Sequence, residues 1–392
     1  MFRVIVLLLC GTGAIASKCT LRYQLSSPPI LTQKFGSHNI ILNARDGQLS
    51  WDDRATVNAY CPGGLRNLRQ HPNYGYYNPS SSQQVTFSCS SSQVMFDRPD
   101  TGVITSFQND GQLSCPTTSK FYETLVPACE YQGLAYGFLL GKQAVVLAEV
   151  CYNLDLLEPM FLHYVAGARS TILESQTAHN VANITTSSVE VFIDNSLRES
   201  ENRTLLEAVR KSLPQYLGVV QYQIEEFIPL REASGVFGLY VDDFRSVNMI
   251  PWWRSLKFGN WKLLEEAIDM VSRNETYDVF AGTSDIVIYP SNDKCMSTDL
   301  LTFKVDSYIR NVPKYIWNYV KKREEADDGI VIIGINSPFS DSSKGGDVLC
   351  DDICDNIPWL SSLKRSRKMA ALGYIFCCKP ADVKNKLDHF LI

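Results

Sequence analysis

Past its first residues this sequence has no long apolar run. A membrane helix needs about 20 consecutive apolar residues, and no stretch after Cys10 approaches that, so a spanning helix and membrane contact are not expected. A basic surplus is missing too: 37 Lys and Arg stand against 42 Asp and Glu, a formal charge of −5. Tight general binding of nucleic acid draws on Lys and Arg contacts to phosphate, and this composition argues against it. The only dense basic runs, Lys321-Lys322-Arg323 and Lys364-Arg365-Ser366-Arg367-Lys368, read as solvated faces. No internal repeat is present, and low complexity is confined to the Ser/Asp/Gly loop Ser337 to Gly346. Histidine is scarce: His38, His71, His163, His179 and His389 are the five, each read as an ordinary surface or core residue.

What is present suits a two-domain globular chain, since 392 residues at 45% hydrophobic content can bury a large core. Met1-Phe2-Arg3, the apolar run Val4 to Cys10 and the small-residue site Ala14-Ile15-Ala16 read as a signal peptide over 1–16, and so as secretion. Its removal takes Arg3 and makes the charge one unit more negative. Cys10 falls in that leader. The first third then holds Cys19, Cys61, Cys89, Cys115, Cys129 and Cys151, enough for three bridges among 15 connectivities, and an oxidising compartment favours disulfides. Cys295, Cys350, Cys354, Cys377 and Cys378 follow, leaving one over unless a bridge crosses domains. The last four could be drawn as a zinc site, but secretion favours disulfides there as well. Asn183, Asn202 and Asn274 each open an Asn-x-Thr glycosylation sequon.

The texture changes near residue 150. Residues 17–150 are rich in Ser, Gly, Tyr, Pro and Asn with short alternating runs such as Gln84 to Cys89, which predicts a small disulfide-rich β domain. Residues 151–392 predict an α+β domain. Leu205, Leu206, Val209 and Leu213 have helical spacing before Pro214, and further helices are expected at 261–272, 312–322 and 381–391. Strands are expected at 244–249, 278–281, 286–289, 329–335 and 373–378.

The stretch WWRSLKFGNWKLLEEA, Trp252 to Ala267, carries the chemistry. Asn260 is a suitable N-cap, and Trp261, Leu264, Ile268 and Val271 form one apolar stripe, so an amphipathic helix should begin here. Glu265 lies about 40° from Trp261 around that helix, at the edge of the buried face. Upstream, Pro251 should end a strand. A strand, a tight connection and a helix with a carboxylate at its border make one side of a ββα-metal site.

Asn248-x-x-Pro251, Asn260-Trp261-x-x-Leu264-Glu265 and a strand ending Ala281-Gly282-Thr283 resemble the core of the DNA/RNA non-specific endonuclease family in its secreted animal branch. Val312-Pro313-Lys314-Tyr315-x-Trp317, the strand before Asn336-Ser337-Pro338, Leu349-Cys350-x-x-Ile353-Cys354, Trp359 and Gly373 to Cys378 follow in that branch's order. The resemblance covers nearly the whole chain after the leader. It implies a ββα-metal endonuclease-like domain with an antiparallel sheet, and hydrolysis of phosphodiester bonds. There a histidine in Arg-Gly-His deprotonates water, and an asparagine holds hydrated Mg²⁺ against the phosphate. A helix glutamate orients the metal's waters, and an arginine one turn on stabilises the phosphorane.

Carried over residue by residue, that pattern breaks where chemistry needs it. The base position falls on Glu226, or on Phe227 if the register slips by one, and neither is histidine. The metal-binding asparagine becomes Lys257, whose ammonium cannot ligate a cation. The arginine becomes Asp269, a like charge one turn from Glu265, repelling it by a few tenths of a kcal/mol. Only Asn248 and Glu265 keep the implied identity. Lys257 is therefore expected as an internal counter-ion to Glu226 and Glu265, within about 4 Å of one of them. A catalytically impaired pseudonuclease is the leading reading, with no cofactor and at most weak nucleic-acid binding or an unidentified protein partner. An active Mg²⁺-dependent endonuclease and an extracellular glycoprotein scaffold are the alternatives.

Overall fold

Val, Ile, Tyr and Phe crowd the segments 132–166, 277–286 and 313–335, and β-branched and aromatic side chains suit a pleated, buried surface. In the computed structural model of the chain these segments pair into a nine-stranded antiparallel sheet. Its order is Thr185–Thr186, Lys120–Glu123, Gln132–Leu140, Gln143–Asn153, Glu158–Ala166, Tyr277–Ile286, Pro313–Lys322, Ile330–Ile335 and Ile375–Cys378. The structure describes residues 18–42, 46–66, 83–97, 104–107, 112–116, 120–127, 129–140, 143–156, 158–167, 185–186, 195–213, 220–229, 243–290, 298–305, 308–323, 325, 329–339 and 346–390. The signal peptide expected at 1–16, Asn183 and Cys295 lie outside them.

Two compact units result, Met1–Lys34 with Ala44–Thr117, and Phe35–Asn43 with Thr118–Ile392. The change falls earlier than residue 150 because Gln132–Leu140 and Gln143–Asn153 ladder into the nine-stranded sheet. In the first unit, Thr56–Tyr60, Gln84–Ser90, Gln93–Asp97 and Ile104–Ser106 pair antiparallel in sequence order. Gln84–Ser90 alternates strictly between buried and open positions, which points Val85, Phe87 and Cys89 to one side. Phe87, Phe96 and Phe107 pack there with ring centroids 5.4 to 6.3 Å apart. Disulfides Cys19–Cys89 and Cys61–Cys115 fasten this unit. The third bridge of the first six cysteines, Cys129–Cys151, belongs to the second unit.

Both faces of the large sheet are covered. On one, Phe161, Trp317, Tyr319, Val331, Ile333 and Phe376 form a core with Val383 and Leu387 of the C-terminal segment. On the other, the helix Asn260–Ser272 lays Trp261 against Gly334, where an added Cβ would come within 3.0 Å of the indole. Gly282 stands directly opposite Trp317, and a Cβ there would lie 2.0 Å from that ring. The glycine of the Ala281-Gly282-Thr283 motif is thus a packing requirement.

Three expected elements are corrected. Residues 312–322 form the strand Pro313–Lys322 instead of a helix, with Tyr315 through Val320 all buried. A strand covered on both faces shows a continuous apolar run without alternation, so its period misleads. The C-terminal helix is only Pro380–Val383; the chain then turns so that Phe390 packs edge-on against Trp317 and Tyr319, at 5.2 and 5.8 Å. The strand expected at 244–249 is a 3₁₀ turn, Asp243–Ser246, followed by the strand Met249–Trp253. The helix expected around Leu205 to Leu213 is present as Asn195–Ser212.

Candidate functional site

Every residue of the strand Met249–Trp253 is buried, and it pairs antiparallel with Tyr222–Glu226. Pro251 does not end it. The proline faces Ile224, whose N–H is turned away to Asn202 Oδ1 at 2.8 Å, so the missing proline donor costs this edge nothing. Asn336, fully buried at the end of Ile330–Ile335, ties this hairpin to the large sheet. Its Nδ2 donates to the carbonyls of Pro251 and Pro313 at 3.0 and 2.9 Å, and its Oδ1 accepts the Trp253 N–H at 2.6 Å. The Tyr222 hydroxyl donates to the Asn336 carbonyl at 2.9 Å. Asn336 opens the Asn336-Ser337-Pro338 motif, and sequence reasoning does not single it out as a site residue. The available signal was a polar residue directly after an unbroken buried strand.

A five-residue helix, Arg254–Phe258, and Gly259 connect this hairpin to Asn260–Ser272. Asn260 does not cap the second helix, as expected, but is its first residue. Its fully buried carboxamide donates instead to the carbonyls of Ser366 and Gly373, pinning that segment over the helix junction. The two helices face Lys257 toward Glu265. Nζ lies 2.6 Å from Oε1 with each side chain 10% exposed, and 4.7 Å from the centre of the Trp252 ring. Tyr164, beneath them on the sheet, has its phenol pKa pushed far up, first by burial and then by the Glu265 charge. The counter-ion expected for Glu265 is therefore in place.

The remaining predicted residues do not converge on this pair. Glu226 is about a third exposed and its Oε1 is 3.5 Å from Arg245 Nε, so Arg245, a residue the sequence reading missed, takes the place expected for Lys257. Phe227 is buried in the core and offers no base. Asn248 is fully buried, and its carboxamide brackets one residue: Oδ1 accepts the Ile228 N–H at 3.0 Å and Nδ2 donates to the Ile228 carbonyl at 2.9 Å. Asp269 is paired with Arg273 at 2.6 Å, one turn further along the helix, so the repulsion expected toward Glu265 is compensated locally.

The cysteines and basic runs also resolve. Cys350–Cys378 and Cys354–Cys377 are disulfides, which removes the sulfur ligands of the alternative zinc site. Asp352 is the one carboxylate grouped with those sulfurs among the described residues, and it accepts the N–H groups of Cys354 and Cys377 and pairs with Arg367. Arg367, expected on a solvated face, is 3% exposed and also meets Asp355 at 2.9 Å. Lys322 is held by Glu275 and Glu325. Of the sequons, Asn274 is exposed in the turn after the site helix, whereas Asn202 lies within Asn195–Ser212 with its Oδ1 engaged.

No protein-family model matches the sequence, and comparison with the curated proteins yields no match.

Proposed function

We propose that this chain is a secreted pseudonuclease: a ββα nuclease-like element in which the ammonium of Lys257 has taken the place of the divalent cation. The supporting observation is the Lys257–Glu265 pair, 2.6 Å apart and almost shut off from solvent, joining the two helices that follow the antiparallel hairpin. An ammonium is three donors and no acceptor, so it satisfies the carboxylate that would otherwise orient metal-bound water and repels a second cation. The donor set does not suit Mg²⁺, because the other surviving residue, Asn248, has both ends of its carboxamide engaged by Ile228. General-base catalysis contributes a factor of roughly 10² to 10⁴, and neither Phe227 nor the Arg245-paired Glu226 replaces a histidine. Five disulfides are typical of extracellular proteins, and no helix among the described residues is long and apolar enough to cross a membrane.

Plasmid digestion with Mg²⁺ and with EDTA tests the reading. Purified protein should show no Mg²⁺-dependent nicking of DNA or RNA, and Lys257→Asn should bind Mg²⁺ weakly by calorimetry without gaining cleavage. EDTA-sensitive cleavage that disappears in Glu265→Ala would establish the active-endonuclease alternative instead.

A further inference from the structure

On the sheet face opposite Tyr164, the preceding residue of the same strand makes a second ionic cluster. His163 Nδ1 is 2.9 Å from Glu149 Oε2 and its Nε2 is 3.2 Å from Asp278 Oδ1, with the three side chains only 12 to 20% exposed. The acids come from the two strands flanking that of His163: Glu149 is its direct ladder partner on one side, and Asp278 lies two residues from its partner, Phe280, on the other. Phe280 also stacks on the imidazole, 4.2 Å between centroids and 12° between planes, which fixes the ring's orientation. From the next strand, Lys321 stands opposite Asp278 in the ladder, and Arg323 Nε approaches Asp278 Oδ2 at 3.9 Å.

We propose that His163 is a proton-operated clamp across three adjacent strands, closed as an imidazolium bridging Glu149 and Asp278 and released when the ring loses its proton. The reason is geometric. A neutral imidazole has one N–H donor, so it could satisfy one carboxylate while turning a lone pair toward the other; only the imidazolium donates at both ends. Burial alone would lower the pKa of His163, but the hydrogen bonds and charges of Asp278 and Glu149 outweigh it and raise it above 6.5. The sign follows from linkage. A folded-state pKa above the unfolded value stabilises the fold fully below about pH 6.5, and that contribution is lost as the pH rises through the folded-state pKa. The clamp thus ties the sheet's stability to acidity.

The test uses the full chain labelled with ¹³C-histidine. The His163 ring resonance, assigned by its loss in His163→Gln or by its displacement in Asp278→Asn, should titrate above about pH 6.5, and Asp278→Asn should move its midpoint down. In parallel, the urea midpoint of the unmodified protein should fall between about pH 6 and pH 9, with a flatter profile in His163→Gln. A His163 midpoint at or below about 6.5, or the same pH profile with and without the histidine, would overturn the clamp.

Discussion

Two buried cations lie on opposite faces of one sheet. Tyr164 and His163 are successive residues of Glu158–Ala166, and a strand points successive side chains to opposite sides. Tyr164 faces the Lys257–Glu265 pair under the site helix, and His163 holds Glu149 and Asp278 on the other side. Lysine there meets one carboxylate, whereas histidine meets two and donates to both only as the imidazolium. The same strand therefore separates a one-to-one ion pair from a cluster whose bonding depends on pH.

The contrast is sharpest if Lys257 is stranded. Glu265→Gln leaves an uncompensated buried ammonium and should destabilise the fold by about 3 to 5 kcal/mol in urea unfolding, whereas Lys257→Met with Glu265→Leu should lie close to the parent. If the double variant is as unstable as the single one, the pair contributes more than mutual neutralisation. A neutral comparison comes from Asn248→Ala, which strips both the N–H and the carbonyl of Ile228 of their partner. A loss of about 1 to 3 kcal/mol is expected, with no dependence on pH between about 6 and 9 because no titrating group is removed. On the His163 face, the difference between parent and His163→Gln should appear at about pH 6 and shrink toward pH 9; a difference that grows with pH would reverse the comparison. The smallest effect is expected at Asp269, whose Arg273 partner is 69% exposed. Asp269→Ala should change the unfolding free energy by less than about 0.5 kcal/mol, and a larger loss would mean that Asp269 acts on Glu265 after all.

The departures of the second unit from its local sequence pattern have a definite reason. Pro313–Lys322 lies inside the sheet and is covered on both faces, so it lacks the alternation that marks a half-exposed strand. Pro251 sits on a hairpin strand that tolerates it because Asn202 and Asn336 satisfy the groups around it. Both corrections concern partners distant in the chain, which no local period records.

Residue types and short spacings alone determined that six early cysteines would be paired and that Trp261 to Ser272 would be an amphipathic helix. Those outcomes depend on local chemistry: thiols and a 3.6-residue stripe. Which carboxylate Lys257 meets was decided by the tertiary structure, as was the diversion of Glu226 to Arg245. It also placed His163 between acids 14 and 115 residues away. The physical reason is that antiparallel ladders set neighbours by register between strands, and register follows from burying the whole sheet rather than from any one segment.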